Sequence, residues 1–293
     1  EAIAGTTDND TLTLENTQAG TEIDLVSGED LLTLAQGDNA VTVSNIETII
    51  AGAGNDAVSL ATNLAAGDQV DLGAGDDSLS LADGDNAATV SNIEKIIGGA
   101  GNDAVALATT SVSGDLVDLG AGNDTLTLAD GDNVTTVSNV ETIIAGEGDD
   151  VVSFATNPTE GDRVDLAGGE DTLILAEGDN AVTVSNIETI IAGGGDDGVS
   201  LATNLAAGDL VDLGDGVDFL DLARGANTAA VLNVEAIAGT AGRDALTLEN
   251  AQAGTEIDLA RGDDTLTLAD GDNVTAVSNI ETIIGGAGND QVE

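Results

Sequence analysis

Short segments in which aliphatic and polar residues alternate recur along the whole chain. Two of them, Ala57–Leu60 and Ser78–Leu81, follow turns that are rich in glycine and aspartate, and two others, Thr48–Ile50 and Gln69–Leu72, precede such turns. Alternation with a period of two is typical of β-strands that bury one face. The pattern recurs later at Thr125–Leu128, Thr172–Leu175 and Thr265–Leu268. It therefore predicts an all-β protein.

A repeat of 46 or 47 residues organises the whole chain. Its marker is the glutamate of "NIETII" and its variants, at Glu1, Glu47, Glu94, Glu141, Glu188, Glu235 and Glu281. A longer period is superimposed, because Leu12–Leu25 recurs as Leu246–Leu259, 234 residues or five short repeats later. We predict one continuous repeat array over residues 1–293, with repeats starting near 1, 47, 94, 141, 188, 235 and 281, and expect a fragment of a longer chain.

Each repeat contains two Gly-Asp turns, such as Ala51–Asp56 and Leu72–Asp77, and four strands, which predicts two coils of roughly 23 residues. Stacked coils bury an apolar face that a single coil cannot. We therefore predict a parallel β-solenoid or β-roll of about 12 coils, with "ETII" stacked on "VDL". Asparagines should stack on every second coil and bind the turn backbone, at Asn45, Asn92, Asn139, Asn186, Asn233 and Asn279.

Composition narrows the function. The chain has 55 acidic and 5 basic residues, a formal charge of −50, and only Phe154 and Phe219 as aromatics, which predicts a thin aliphatic core. Without Cys or His there is no thiol nucleophile, imidazole base or usual zinc site, so we expect no enzyme. The acidity argues against nucleic-acid binding, and no apolar run is long enough to span a membrane.

The Gly-Asp turns carry the candidate chemistry. Gly98–Ala106 and Gly285–Glu293 match the pattern GGxGxDxUx, where U is a large aliphatic residue. Here the chain resembles the repeats-in-toxin (RTX), or hemolysin-type, calcium-binding repeats. The resemblance implies a parallel β-roll with calcium ions in the turns and export by a type I secretion system. The longer spacing between motifs predicts a wider coil than the family's coil of about 18 residues.

Carried over by position, the resemblance makes the sixth residue of each turn a calcium ligand: Asp56, Asp77, Asp103, Asp124, Asp150, Asp171, Asp197, Asp218, Asp264 and Asp290. The fifth residue is a candidate beside it, at Asn55, Asp76, Asn102, Asn123, Asp149, Asp196 and Asn289. Two turns depart from the pattern, because Asp244 follows Arg243 and the turn of Asp10 lacks the second glycine. Calcium binds six to eight oxygen atoms, which two stacked turns can supply.

A second acidic series is predicted on the opposite edge of the solenoid. It comprises the "GDN" turns with Asp38, Asp85, Asp132, Asp179 and Asp272, and the "GD" turns with Asp68, Asp115, Asp162 and Asp209, replaced by Glu22 and Glu256 in two copies. These turns have one glycine each, so a second calcium ladder remains open. Over about 12 coils at roughly 4.8 Å each, fifty charges exceed the charge density of duplex DNA, one per ~1.7 Å. The chain should therefore resist folding until cations neutralise it.

Other interpretations of these features remain. Asp and Asn also suit tight turns without a metal, and an acidic surface is typical of proteins from saline environments. Columns of threonine could form an ice-binding face, although Ile174 and Asp221 interrupt them. Our leading hypothesis is a calcium-binding structural protein of an extracellular fibre, matrix or surface layer that self-associates head to tail or laterally. The alternatives are the spacer of a secreted adhesin and the calcium module of a secreted enzyme.

Overall fold

The computed structural model describes residues 1–251 and 253–293, and all regular elements among them are β-strands. The chain divides into two compact units, Glu1–Gly146 and Glu147–Glu293. Each unit contains two parallel sheets of eight strands, and the chain crosses from one sheet to the other after every strand. The predicted all-β parallel solenoid is confirmed. Among the described residues there is no helix that could span a lipid bilayer.

The first unit contains strands β1 to β16. The odd-numbered strands form one sheet: β1 Ala2–Ala4, β3 Ala19–Asp24, β5 Ala40–Ser44, β7 Ala57–Leu60, β9 Ser78–Ser80, β11 Lys95–Ala100, β13 Asp115–Ala121 and β15 Val134–Ser138. The even-numbered strands form the other: β2 Thr11–Thr13, β4 Leu31–Thr33, β6 Thr48–Ile50, β8 Asp68–Asp71, β10 Ala87–Ser91, β12 Ala104–Leu107, β14 Thr125–Thr127 and β16 Thr142–Ile144.

The second unit is built in the same way from strands β17 to β32. One sheet contains β17 Val151–Phe154, β19 Thr172–Ile174, β21 Thr189–Ile191, β23 Asp209–Asp212, β25 Thr228–Leu232, β27 Ala245–Leu248, β29 Thr265–Thr267 and β31 Thr282–Ile284. The other contains β18 Asp162–Asp165, β20 Ala181–Ser185, β22 Gly198–Leu201, β24 Phe219–Asp221, β26 Ala236–Ala238, β28 Ala253–Asp258, β30 Val274–Ser278 and β32 Gln291–Val292.

The sequence repeat and the coil do not coincide. Each 47-residue repeat holds five strands rather than four, because Ala40–Ser44 and its equivalents form a strand of their own. One repeat is therefore two and a half coils, and the prediction of two coils is wrong. The 32 strands of the described residues, at two per coil, make about 16 coils instead of about 12. Equivalent strands consequently alternate between sheets, since β6 lies in one sheet and β11 in the other.

The observed coil is narrower than predicted. Paired residues in neighbouring strands are 17, 20 or 21 positions apart, as in Val41 with Val58, Ile23 with Val43, and Val58 with Leu79. The expectation of coils of roughly 23 residues is therefore wrong. The predicted stacking of "ETII" on "VDL" is confirmed, because Ile49 pairs with Val70.

The core is a thin double layer of aliphatic side chains, as predicted. Inward-facing Leu32, Ile49, Leu79 and Ile96 are fully buried, each at 0 % exposure. Of the two aromatic residues, Phe154 is buried and Phe219 is exposed. Alternation along each strand places one set of side chains inside and the other outside, so the apolar pattern in the sequence sets the pairing register.

The asparagine of each "NIE" segment bridges coils but does not stack as predicted. Asn45 precedes β6 and Asn92 precedes β11, so the two lie on opposite turn edges, and stacking on every second coil is wrong. All six asparagines have φ between 52° and 54°, a left-handed conformation that asparagine tolerates. Each donates its side-chain N–H to an aspartate of the preceding coil rather than to backbone, as Asn45 does to Asp24 at 2.8 Å.

Candidate metal centre

Buried polar residues follow one another in a fixed order along each turn edge. On the edge of the first unit that follows the even-numbered strands, Asn39, Asp56, Asp77 and Glu94 occupy four successive coils. The backbone N–H of each residue donates to a side-chain oxygen of the next, at 2.8, 2.7 and 2.7 Å. We call such a set of four an acidic ladder. It ties four coils together through their turns.

The same ladder recurs on both edges. Its other complete copies are Asn86, Asp103, Asp124 and Glu141 in the first unit, and Asn180, Asp197, Asp218 and Glu235, then Asn227, Asp244, Asp264 and Glu281, in the second. Partial copies contain Asp30 with Glu47, Asp150 with Asp171 and Glu188, and Asn273 with Asp290. All ten predicted sixth-position ligands are thus ladder members.

The ladder aspartates are buried carboxylates with one unused oxygen. Asp56 is 1 % exposed, and its Oδ1 accepts the backbone N–H of Asn39 and also the side-chain N–H of Asn39 at 2.7 Å. Among the residues that the structure describes, Oδ2 is buried without a hydrogen-bond partner in Asp30, Asp56, Asp77, Asp103, Asp124, Asp171, Asp197, Asp218, Asp244 and Asp264. A buried oxygen of this kind is unfavourable unless a proton or a cation satisfies it.

Burial raises the pKa of several ladder aspartates. Loss of hydration raises the pKa from 3.8 to about 6 in Asp77, Asp124, Asp171 and Asp218, and the charges of neighbouring carboxylates add to the shift. The backbone hydrogen bond from the preceding coil opposes it in each case. Burial and neighbouring negative charges therefore destabilise the charged carboxylates, and a bound cation would stabilise them.

In several turns the same glycine faces both a ladder carboxylate and a glycine carbonyl oxygen. A Cβ atom on Gly75 would collide with the carbonyl oxygen of Gly54 and would lie 3.1 Å from Oδ1 of Asp77. The equivalent pairing of a glycine carbonyl with a ladder carboxylate recurs at Gly122, Gly216 and Gly262. Glycine is needed here because stacked turns approach closely. The result is an environment of carboxylate and carbonyl oxygens, the donor chemistry that calcium prefers.

Acidic side chains do not by themselves gather into a metal cluster. Within residues 1–251 and 253–293, no group of three or more Asp or Glu side chains is placed to hold a metal ion. Backbone carbonyls also serve as calcium ligands. One or two ladder carboxylates and the glycine carbonyls could together supply oxygen ligands of the kind that calcium uses.

The predicted fifth-position ligands lie on the exposed tips of the turns. Asp38 Oδ1 accepts the N–H of Asn55 at 2.9 Å, and Asn55 Oδ1 accepts the N–H of Asp76 at 3.1 Å. The same contacts join Asp85 to Asn102, Asn102 to Asn123, Asp179 to Asp196, Asp149 to Glu170, and Asp272 to Asn289. Asp132 occupies the equivalent turn between β14 and β15. The "GDN" turns therefore lie on the same edge as the Gly-Asp turns that follow them, and their predicted placement opposite is wrong.

The "GD" aspartates have a different role. The side chains of Asp115, Asp162 and Asp209 are buried, and each accepts the backbone N–H of the residue three positions earlier in its own turn. Asp68 makes the same contact with Ala65 at 2.7 Å. These aspartates close their own turns rather than linking successive coils.

Two ladder positions were not predicted from the sequence. They are the asparagine of each "GDN" turn and the glutamate of each "NIE" segment, which begin and end the ladder. A signal existed, since both residues recur every 46 or 47 positions.

Comparison of the chain with models of known protein families, with curated proteins and with solved structures finds no match.

Proposed function

We propose that the protein is a calcium-binding structural repeat protein. Calcium ions in the turns would lock successive coils together and give a rigid element of an extracellular fibre, matrix or surface layer. The observation that carries the proposal is the recurrence of a buried ladder aspartate with an unpartnered Oδ2 in turns where the same glycine faces the carboxylate and a glycine carbonyl oxygen. The residues that would hold calcium are those ladder aspartates, such as Asp77 and Asp124, together with glycine carbonyls such as Gly54 and Gly101.

Charge supports the same proposal. A formal charge of −50 is concentrated in turns that stack at the spacing of neighbouring strands, about 4.8 Å. Mutual repulsion of this kind opposes the compact state. Divalent cations in the turns would neutralise it where the charges are closest, and their binding free energy would add to the free energy of folding.

Far-UV circular dichroism during a calcium titration tests the proposal. We expect the β-sheet signal, or its resistance to urea, to increase over micromolar to millimolar calcium, and to increase far less with magnesium, which demands smaller octahedral sites. Sodium chloride at matched ionic strength is the control for simple screening. A chain that is equally folded and equally stable in sodium chloride alone would contradict calcium binding.

Self-association is a separate part of the proposal. Sedimentation velocity of the full chain with and without calcium measures it directly. Growth of sedimenting species with protein concentration in calcium is the expected result. A monomer at every concentration over the same range would contradict self-association without contradicting calcium binding.

A further inference from the structure

One turn departs from its copies at a position that is otherwise apolar. Ser111 occupies the place that Leu64 and Leu205 hold in the equivalent turns, 47 residues before and 94 residues after it. Both leucines are buried at 5 % exposure. The offset of 94 residues equals five coils, so Leu205 lies in the same turn type with the same surroundings.

The smaller serine leaves a cavity. A space of about 220 Å³ is lined by Ser111 together with Ile93, Leu107 and Val112. Ile93 and Leu107 are partly exposed, whereas their equivalents Ile187 and Leu201 are buried at 4 % and 8 % exposure. The loss of one leucine side chain therefore uncovers neighbouring apolar surface in this turn.

Polar groups converge on the same cavity. Ser111 is 6 % exposed and lines the cavity, and its Oγ has no hydrogen-bond partner. Two carboxylates complete the lining, those of Glu94 and of Asp115, which is 8 % exposed. Each has one oxygen engaged, Glu94 Oε2 by the N–H of Asp77 and Asp115 Oδ2 by the N–H of Val112. The lining, which lies wholly in the described segment 90–115, contains no basic side chain.

We propose that this cavity binds a small organic cation, a primary ammonium group on a short alkyl chain. An ammonium has three N–H donors, and the two carboxylates can accept two of them. The alkyl part would contact Ile93 and Leu107. The space of about 220 Å³ exceeds the need of a bare metal ion.

The electrostatics of the cavity favour the same ligand class. Burial raises the pKa of Asp115, the hydrogen bond from Val112 lowers it, and the charge of Glu94 raises it further. A bound cation would stabilise both charged carboxylates. Ser111 and Asp115 are not ladder members; Glu94 ends a ladder through its Oε2, but it is not one of the aspartates proposed to hold calcium.

Isothermal titration calorimetry of the full chain with n-butylammonium tests the inference. The buffer is one in which circular dichroism shows the folded β-sheet, and n-butanol and butyrate serve as uncharged and anionic comparators. We expect one site with a dissociation constant on the order of 0.1 to 1 mM, given the small size of the ligand. No binding of n-butylammonium at tens of millimolar, or equal binding of n-butanol, would overturn the proposal.

Two reciprocal variants locate the site. Ser111→Leu introduces the leucine of the turns at Leu64 and Leu205 and should abolish binding. Leu205→Ser should create a second cavity beside Glu188 and Asp209 and raise the stoichiometry from one to two. Asp115→Asn should weaken binding at least about tenfold, because it removes a charged acceptor. Unchanged binding by the folded Ser111→Leu variant would refute the assignment. The wild-type calcium response of that variant would show that its turns remain intact.

Discussion

Replacement of Asp77 by asparagine tests whether this residue is a calcium ligand or a buried carboxylate with a structural role alone. Asp77 is 1 % exposed, its Oδ1 accepts the N–H of Asp56 at 2.7 Å, and its Oδ2 has no hydrogen-bond partner. Asparagine has nearly the same shape and keeps an oxygen for the Asp56 N–H. It removes the negative charge and one of the two oxygens that a cation could use.

The expected free-energy changes have opposite signs with and without calcium. A pKa raised from 3.8 to about 6 corresponds to at most about 3 kcal/mol of unfavourable charge burial at pH 7, and screening by nearby solvent reduces this to on the order of 1 to 2 kcal/mol. Asp77→Asn should therefore increase the free energy of unfolding by up to that amount without calcium. At a calcium concentration 100 times the dissociation constant, loss of one site should decrease it by up to about 2.7 kcal/mol.

Urea unfolding followed by circular dichroism measures both values, in EDTA and in saturating calcium. Both buffers contain about 1 M sodium chloride, which shortens the screening length to roughly 3 Å and limits long-range repulsion. Hydrogen exchange at the Asp56 amide shows whether the ladder contact survives. The matched control is Glu160→Gln, which removes one exposed charge outside the ladders.

Equal changes in the two buffers would refute the reasoning, because they would mean that Asp77 acts only through its hydrogen bond. An Asp56 amide that exchanges as slowly as in the wild type is required for a clean comparison. Faster exchange in the variant would assign any loss of stability to the broken ladder contact instead.

The ladder aspartates, one bridging asparagine and two glycines can be tested in the same way. Without calcium, lowering the pH from 7 to 5 should stabilise the chain, because the ladder aspartates have a pKa near 6 in the folded state and 3.8 in the unfolded state. The free energy of unfolding should increase by on the order of 1 kcal/mol per titrating residue, and the urea midpoint should rise with it. A fall in the urea midpoint would contradict the assigned shifts. Asn186→Ala should lower the free energy of unfolding by about 2 to 4 kcal/mol, because it removes the 2.7 Å hydrogen bond to Asp165 and places alanine at φ 53°. Asn186→Gly should lower it less, because glycine tolerates that φ, and urea unfolding measures both variants. Gly75→Ala should lower the thermal midpoint because its Cβ would collide with the Gly54 carbonyl, whereas Gly198→Ala, whose Cβ would have its nearest neighbour at 3.8 Å, should be neutral or stabilising by about 0.4 to 1 kcal/mol.

Most of the local structure could be predicted because it depends on neighbouring residues in the chain. Period-two alternation placed Ala57–Leu60 and Thr48–Ile50 at their observed bounds. Glycine and aspartate at fixed spacing identified the turns. The strand Ala40–Ser44 was missed, although Val41 and Val43 alternate with polar residues, because a turn of only three residues separates it from the strand that begins at Thr48.

The candidate site was predicted in its residue types and not in its arrangement. The aspartates at the sixth turn position are the buried members of the ladders, but the partners that complete each ladder lie 17 to 21 residues away. No local pattern states which turn will stack on which. Ser111 illustrates the same limit, because a serine in a turn is unremarkable until its neighbours show that it replaces buried leucine.

The sequence by itself determined the all-β class, the positions of the turns and the acidic, oxygen-rich chemistry of the edges, since these follow from residue type and short-range periodicity. Only the tertiary structure decided that a 47-residue repeat spans two and a half coils. The half coil places equivalent turns on opposite edges and brings the "GDN" turn beside the Gly-Asp turn. The physical reason is that stacking pairs each strand with the next strand of the same sheet, and the number of strands per repeat is odd.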